Sequence, residues 1–281
     1  MSKYYYLVTG LPELTLEDNK LRYSVADYKT EFYPYLTDED KKLVDLFYLK
    51  FDNENVLSLL KNREAAIDER GNFTAETILE IIHQIQEEGK ILTPNVLPAY
   101  LNQFLTLFLT DDSFSESRIL AVDRLAAMYY EHAMKCGDAF VSSWFEFNLN
   151  VNNILVALTA RKFKMDVSSL IVGDTEICKA LRTSNARDFG LSSEVDYLDQ
   201  VVKISEITEL VEREKKLDLM RWKWMEDKTF FDYFTLERLY VFLLQTDIIE
   251  RWLTLDKEKG NQMFRNIISS LKDEVRVPDE F

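Results

Sequence analysis

From Ala99 to Val277 the chain contains no proline, and from Leu191 to Lys259 it contains neither proline nor glycine. These residues are the strongest local punctuators of secondary structure, because one removes a backbone donor and the other admits conformations closed to L side chains. An all-β sandwich or barrel needs turn signals every ~8–12 residues. Here the whole chain of 281 residues holds only 7 Gly and 5 Pro, against usual levels of about 7% and 5%. The same shortage excludes collagenous and low-complexity classes. The chain is expected to be all-α.

Charge narrows the partners. With 34 Lys plus Arg against 49 Asp plus Glu, the net charge is −15, which argues against a nucleic-acid partner. No apolar run approaches the ~20 residues that a membrane span requires. The N-terminus MSKYYYLVTGLPEL offers no long apolar region followed by a small-residue cleavage site, so no signal peptide is expected. Two cysteines, Cys136 and Cys178, are too few for a disulfide framework and point to a reducing compartment, with both as small core residues. The expected location is cytoplasmic, or peripheral on the cytoplasmic face of a membrane.

Caps and apolar stripes place the helices. Tyr4–Val8 is a strand or a first helical turn. Ser24 caps a short helix that ends near Tyr33-Pro34. Thr37, with Asp40 in a near capping box, starts a stripe through Leu46, Phe47 and Phe51. Asp52 or Asn53 caps the next helix, and Thr74 caps one through Ile78, Ile81, Ile82 and Ile85 to Gly89. Later helices are predicted from Thr93-Pro94 to Leu109, from Ser115 to Lys135, over Phe140–Lys162, and from Asp174 to Leu181. Ser184–Ser193 is a polar linker. The last helices are predicted over Tyr197–Met225, Thr235–Leu255 and Gly260–Leu271.

Three segments look alike: FDNENVLSLL (Phe51–Leu60), FNLNVNNILVAL (Phe147–Leu158) and FLLQTDIIERWL (Phe242–Leu253). Asn55 aligns with Asn153 at an offset of 98, and Asn153 with Asp247 at an offset of 94. Gly71, Gly173 and Gly260 follow in turn. Read as a repeat rather than as the chance likeness of helical stretches, this gives three similar helical subdomains, 1–110, 111–195 and 196–281. The period far exceeds the ~20–50 residues of solenoids.

NVNNILVALTARKFKMDVSSLIVGDTEICKAL resembles a recurrent element of the V-type/A-type ATP synthase C-subunit family, whose members some nomenclatures designate d. Asn153, Ile154, Leu158 and Arg161 fit its pattern, and Leu170–Gly173 fits its later stretch. FDNENVLSLLK and QTDIIERWLTL look like its first and third copies. KYYYLVTGLPEL followed by LFYLKFDNENV is similar to a divergent branch of the same family. The third copy carries Asp247 where the others carry Asn, and Phe147–Leu149 stands where an acidic residue is common. The resemblance implies an all-helical, elongated or funnel-like body of three subdomains and no catalysis of its own. It implies a rotor component held between the central-stalk subunits and the membrane proteolipid ring, without membrane insertion.

The residues themselves assemble no recognisable chemistry, and catalytic, cofactor and metal assignments are none. Glu80-Ile-Ile-His83 is one Glu-x-x-His, whereas a di-metal bundle needs two plus two further Glu. His83 therefore reads as a partly buried helix histidine. His132 and the two cysteines lack zinc-ligand spacing. Leu109–Ser113 is a loop with capping aspartates, and Val8–Pro12 lacks a phosphate-loop series. Over Glu212–Lys228 six positive and five negative charges alternate, which marks a solvated helix face rather than a nucleic-acid stripe. Trp222, Trp224, Met225, Phe230, Phe231 and Phe234 beside it read as core, or else as an interface anchor. Two other function classes stand beside the rotor component: an acidic helical adaptor of another complex, and a helical-bundle enzyme with an unrecognised site.

Overall fold

The computed structural model describes residues 3–91, 96–111 and 118–274, and among them there is no strand. The α-helices are α1 (Tyr5–Thr9), α2 (Val25–Glu31), α3 (Asp38–Lys61), α4 (Ala75–Glu88), α5 (Ala99–Thr110), α6 (Arg118–Met134), α7 (Ala139–Lys162), α8 (Glu176–Thr183), α9 (Leu198–Ser205), α10 (Leu210–Lys228) and α11 (Leu236–Glu274). A 3₁₀ turn, Tyr33–Tyr35, follows α2. The all-helical class expected from the scarcity of turn residues is what the chain adopts. Residues 4–8 resolve to helix rather than strand.

Two compact units divide the chain: residues 1–35 with 229–281, and residues 36–228. In the first, α11 lies against α1 and α2. Leu239–Leu244 are buried without interruption. The Tyr28 hydroxyl donates to the Leu239 carbonyl at 3.3 Å, the Val25 N–H donates to Glu250 Oε2 at 2.8 Å, and Phe32 meets Phe242 at 5.6 Å. In the second unit, α7 lies against α6, α8 and α9, while α3 lies against α4 and α6. The Tyr129 hydroxyl on α6 donates to the Leu46 carbonyl of α3 at 2.8 Å.

The capping residues act where the sequence placed them at three helix starts. Ser24 and Asp27 form a reciprocal capping box, Thr37 accepts from the Asp40 N–H, and Thr74 accepts from the Thr77 N–H. At the start of α7, Asp138 accepts from the Val141 N–H at 2.8 Å. Thr175, not Asp174, caps α8. The helix expected from Thr93-Pro94 begins only at Ala99, after Pro98, because Val96–Pro98 are not helical; the start expected at Ser115 lies outside the described residues.

Four further expectations are corrected. Asp52 and Asn53 do not begin a helix; both are buried inside α3, because loop and neighbouring-helix partners satisfy their side chains. The helix expected over Tyr197–Met225 breaks between Ser205 and Leu210. There the Ser205 hydroxyl donates to the Val202 carbonyl at 2.7 Å, and the Glu209 carboxylate accepts from the N–H groups of Val211 and Glu212, capping α10. Ser184–Ser193 is not a free linker. The Arg161 guanidinium donates to the Ser184 and Ala186 carbonyls at 2.6 Å and covers the Phe189 ring, while Phe189 and Leu191 are buried. Finally, α11 runs through Gly260. A glycine costs a helix interior only about 1 kcal/mol, and no proline follows until Pro278.

Candidate functional site

The residues tested for chemistry are dispersed. His83 lies on the exposed side of α4, 3.4 Å from Glu87, not partly buried as expected. The buried stripe of that helix is Ile78, Ile81, Ile82 and Ile85, and position 83 falls off it by helical register. Glu80 accepts from Gln84 at 3.4 Å. His132 is half-buried against the Tyr100 ring at 5.1 Å, and burial pulls its pKa below the ordinary histidine value. Cys136 is half-buried, its thiol pKa raised by burial, whereas Cys178 is fully buried; both are free thiols. Among the described residues no group of three or more His, Cys, Asp or Glu is placed to hold a metal ion. Gly10 ends α1 in an ordinary right-handed conformation. Asp112 and Ser113 of the acidic loop lie outside the described residues.

The mixed-charge helix divides its aromatics. Trp222 is buried and donates from Nε1 to Glu226 at 2.9 Å. Trp224 stacks on Phe147 of α7 at 4.7 Å with the planes 11° apart, and it also meets Phe140 and Trp144. Arg221 pairs with the buried Asp218 at 3.1 Å and donates to Asn148 and Asn152 of α7. This face of α10 is a helix–helix contact within its unit.

Two stretches of the larger unit share one device. Inside α3, the Asn55 side chain donates to the Asp68 carbonyl at 2.9 Å and accepts from the Asp68 N–H at 2.7 Å. Inside α7, Asn153 donates to the Val172 carbonyl at 2.7 Å and accepts from the Val172 N–H at 3.0 Å. In each case a buried carboxamide stands in for a peptide group and pairs with a loop as a strand neighbour would. Only asparagine has both donor and acceptor on so short a stem. Aspartate lacks the donor.

The match continues along both loops. A Cβ on Gly71 would come within 2.5 Å of Asp52 Oδ1, and one on Gly173, at φ +84°, within 3.2 Å of Leu149. Each glycine therefore lets the loop cross its long helix closely. A threonine then caps the next helix: Thr74 accepts from the Thr77 N–H, and Thr175 from the Cys178 N–H, both at 3.2 Å. Cys178 occupies the place of Thr77, and its sulfur meets the Thr175 hydroxyl at 3.1 Å and Asn153 Nδ2 at 3.3 Å. Asp247, aligned with these asparagines by sequence, sits half-buried within α11.

The first block adds a buried carboxylate. Asp52 is fully inside, and its oxygens accept from the Asn72 N–H at 2.8 and 3.0 Å and from the Phe73 N–H at 3.1 Å. Asn53 accepts from the Tyr100 hydroxyl at 2.8 Å, and burial raises the Tyr100 pKa. Asp68 is held below the ordinary aspartate range chiefly by its hydrogen bond from Arg70, whose guanidinium lies 4.1 Å from the centre of the Phe51 ring.

An expected result follows for Asn153. Replacing it with leucine leaves the Val172 amide without its side-chain partner, at a cost of about 1–3 kcal/mol. Hydrogen exchange should then accelerate at Val172 while Asp68, held by the intact Asn55, keeps its protection. Equal exchange in variant and parent would show that the pairing contributes nothing.

The smaller unit exposes several aromatic rings. The Tyr4 N–H donates to the Phe234 carbonyl at 3.3 Å, and the Tyr5 ring lies 4.8 Å from Phe234, joining α1 to the segment before α11. Tyr5 and Tyr6 meet edge to face at 5.6 Å, as do Phe230 and Phe231 at 4.9 Å. Their exposures are large: Tyr6 81%, Phe231 81%, Phe230 66%, Tyr233 63% and Tyr5 48%. The aromatics grouped by sequence around α10 thus separate, with Trp222 and Met225 in the core, Trp224 half-buried against α7, and Phe230 and Phe231 at the surface.

A family model described as "Protein of unknown function (DUF2764)" matches residues 1–275. Neither the curated proteins nor the solved structures contain a match to the chain.

Proposed function

The chain belongs to the DUF2764 family, and we propose that it is a non-catalytic central-stalk component of a V/A-type ion-translocating ATPase. It would link the cytosolic stalk to the membrane proteolipid ring from the cytoplasmic face, without entering the bilayer. The observation that carries this reading is the recurrence of one device, a long helix with a buried asparagine clamping a glycine-bearing loop before a threonine-capped helix, at Asn55 and Asn153. These asparagines are positions on which the resemblance to the ATP synthase C-subunit family rests.

The proposed architecture is three subdomains, 1–110, 111–195 and 196–281, forming an elongated or funnel-like body. The two clamped blocks fall in the first and second, and the third, around Asp247, is assigned by its sequence pattern. The proposed mechanism is mechanical. A body that passes torque needs loops that do not yield, and each clamp fixes a loop to a helix by two hydrogen bonds rather than leaving it to solvent. Among the described residues no helix is long and apolar enough to cross a membrane, in keeping with a peripheral place.

The test is purification of tagged chain from its native cells. Central-stalk subunits and, through them, the proteolipid ring are expected to accompany it, and the chain should sediment with membranes yet be released without detergent. Recovery of the chain with no ATPase component, from cells that express that complex, would overturn the proposal in favour of an adaptor of another assembly.

A further inference from the structure

Left-handed backbone at a residue other than glycine is strained, and among the described residues it occurs twice, at Lys164 (φ +54°) and at Phe189 (φ +59°). Both meet one residue. The Lys164 N–H donates to the Arg161 carbonyl at 3.2 Å, where α7 ends. The Arg161 guanidinium lies 3.5 Å from the centre of the Phe189 ring. Phe189 is the more costly of the two, because its ring is bulky and buried, and the next residue, Gly190, is left-handed as well, at φ +75°. Strain of this kind persists only where the surroundings hold it.

The arginine does the holding. Within residues 184–191 the other hydrogen bonds are local turns: Phe189 N–H to the Ala186 carbonyl at 3.1 Å, Leu191 N–H to the Asp188 carbonyl at 3.0 Å, and Gly190 N–H to the Asp188 carboxylate at 3.0 Å. Among the described residues, the hydrogen bonds that tie this segment to α7 all start at Arg161. Its guanidinium donates to the carbonyls of Ser184 and Ala186 at 2.6 Å and of Arg187 at 3.4 Å. The first block has no such contact. Arg63 follows Asn55 by eight residues, as Arg161 follows Asn153, yet it donates to the Leu59 carbonyl of its own helix. The asparagine clamp therefore does not require the contact, which serves residues 184–191.

We infer that residues 184–191 form a strap with two states, closed with Arg161 as its latch, and opened by a local unfolding that leaves α7 and the Asn153 clamp in place. In the closed state Phe189 and Leu191 are buried. On opening, Phe189 returns to an unstrained backbone, and its ring, the Leu191 side chain and the guanidinium come into water together. The strap is thus a conformational device that hides a small apolar site beside a cation. It does not rest on the rotor reading.

Hydrogen exchange of the full chain, read residue by residue and corrected for intrinsic rates, tests this. A segment that opens locally exchanges faster than its surroundings, so the Phe189 and Leu191 amides should exchange about tenfold or more faster than that of Ile154 within α7. Arg161→Met keeps an apolar stem and removes the donors. It should speed both strap amides by about tenfold or more, with Ile154 and Val172 as in the parent. Gly190→Ala acts through strain alone, since a Cβ there meets nothing within 4 Å. It should speed the same amides by about five- to thirtyfold. Gly137→Ala, at an equally open left-handed glycine before α7, should not. Strap amides that exchange at the Ile154 rate in the parent would overturn the proposal, because the strap would then open only with its whole unit. So would an Arg161→Met variant in which Ile154 accelerates as much as the strap, or one in which the strap amides do not accelerate. Equal acceleration of the strap by Gly137→Ala and Gly190→Ala would also overturn it.

Discussion

Cells from which this chain is deleted are expected to hydrolyse ATP in the cytosolic head of their V/A-type ATPase while ATP-driven ion uptake falls to the level measured without ATP. On the proposed reading the chain holds no part of the nucleotide chemistry. Its removal takes away the mechanical link and leaves the catalytic subunits intact. The assay is ion uptake by inverted membrane vesicles, read beside phosphate release from the same preparation. Loss of both activities together would mean that the chain is needed to assemble the head. Retention of both would mean that torque passes without it, and the rotor proposal would fail. Re-expression of the parent chain should restore uptake, which separates a missing coupler from a damaged membrane.

The second large effect is expected at Asp52. Alanine there removes an acceptor to which the N–H groups of Asn72 and Phe73 donate, in a place where the carboxylate is fully buried. An unsatisfied buried donor costs about 1–3 kcal/mol, so the pair is worth about 2–6 kcal/mol. At about 2–4 °C per kcal/mol for a body of this size, the melting temperature should fall by roughly 4–24 °C. Asparagine at the same position keeps one acceptor oxygen, and its loss should be markedly smaller. Gly71→Ala tests the same contact from the other side, because its Cβ would press to 2.5 Å from Asp52 Oδ1. A melting curve for Asp52→Ala that overlays the parent would remove Asp52 from the account of how this loop is held.

The fold class and most helix starts were legible because they depend on local rules. A serine or threonine before a helix acts through its own first turn, and Ser24, Thr37 and Thr74 need no tertiary context to do so. The errors arose where a polar residue finds a distant partner. Asp52 and Asn53 read as a helix start because both are good caps, yet their partners are Asn72, Phe73 and Tyr100, about 20 to 47 positions away. Glu209 was missed as a cap because glutamate ranks below serine, threonine, aspartate and asparagine in that role. Gly260 read as a turn because glycine often follows a helix, but one glycine without a proline behind it does not stop a helix. Helical register separates the exposed His83 from the buried isoleucines of α4, and the sequence already carried that signal.

The clamp was half legible. Alignment of Asn55 with Asn153 came from their apolar surroundings, and nothing in a linear pattern says that both side chains face a loop. The fuller signal was the set of Asn, Gly and Thr in the same order, with Thr77 and Cys178 three residues after each threonine. The exposure of Phe230 and Phe231 was not legible, because they closely follow Trp222 and Met225, which enter the core.

The division of the chain also sets a schedule for its synthesis. Residues 36–228 form a compact unit from one continuous stretch, whereas the other unit combines residues 1–35 with 229–281. Translation at about 5–20 residues per second separates Tyr35 from Thr229 by roughly 10–40 s. For that interval Tyr4, Tyr28 and Phe32 have left the ribosome while Phe234, Leu239 and Phe242, which they meet in the finished protein, have not been made. Residues 1–35 thus wait for partners made later and are among the last to fold, and in the meantime their own charges, Glu13, Glu17, Asp18, Lys20 and Arg22, or a chaperone, must keep them from associating.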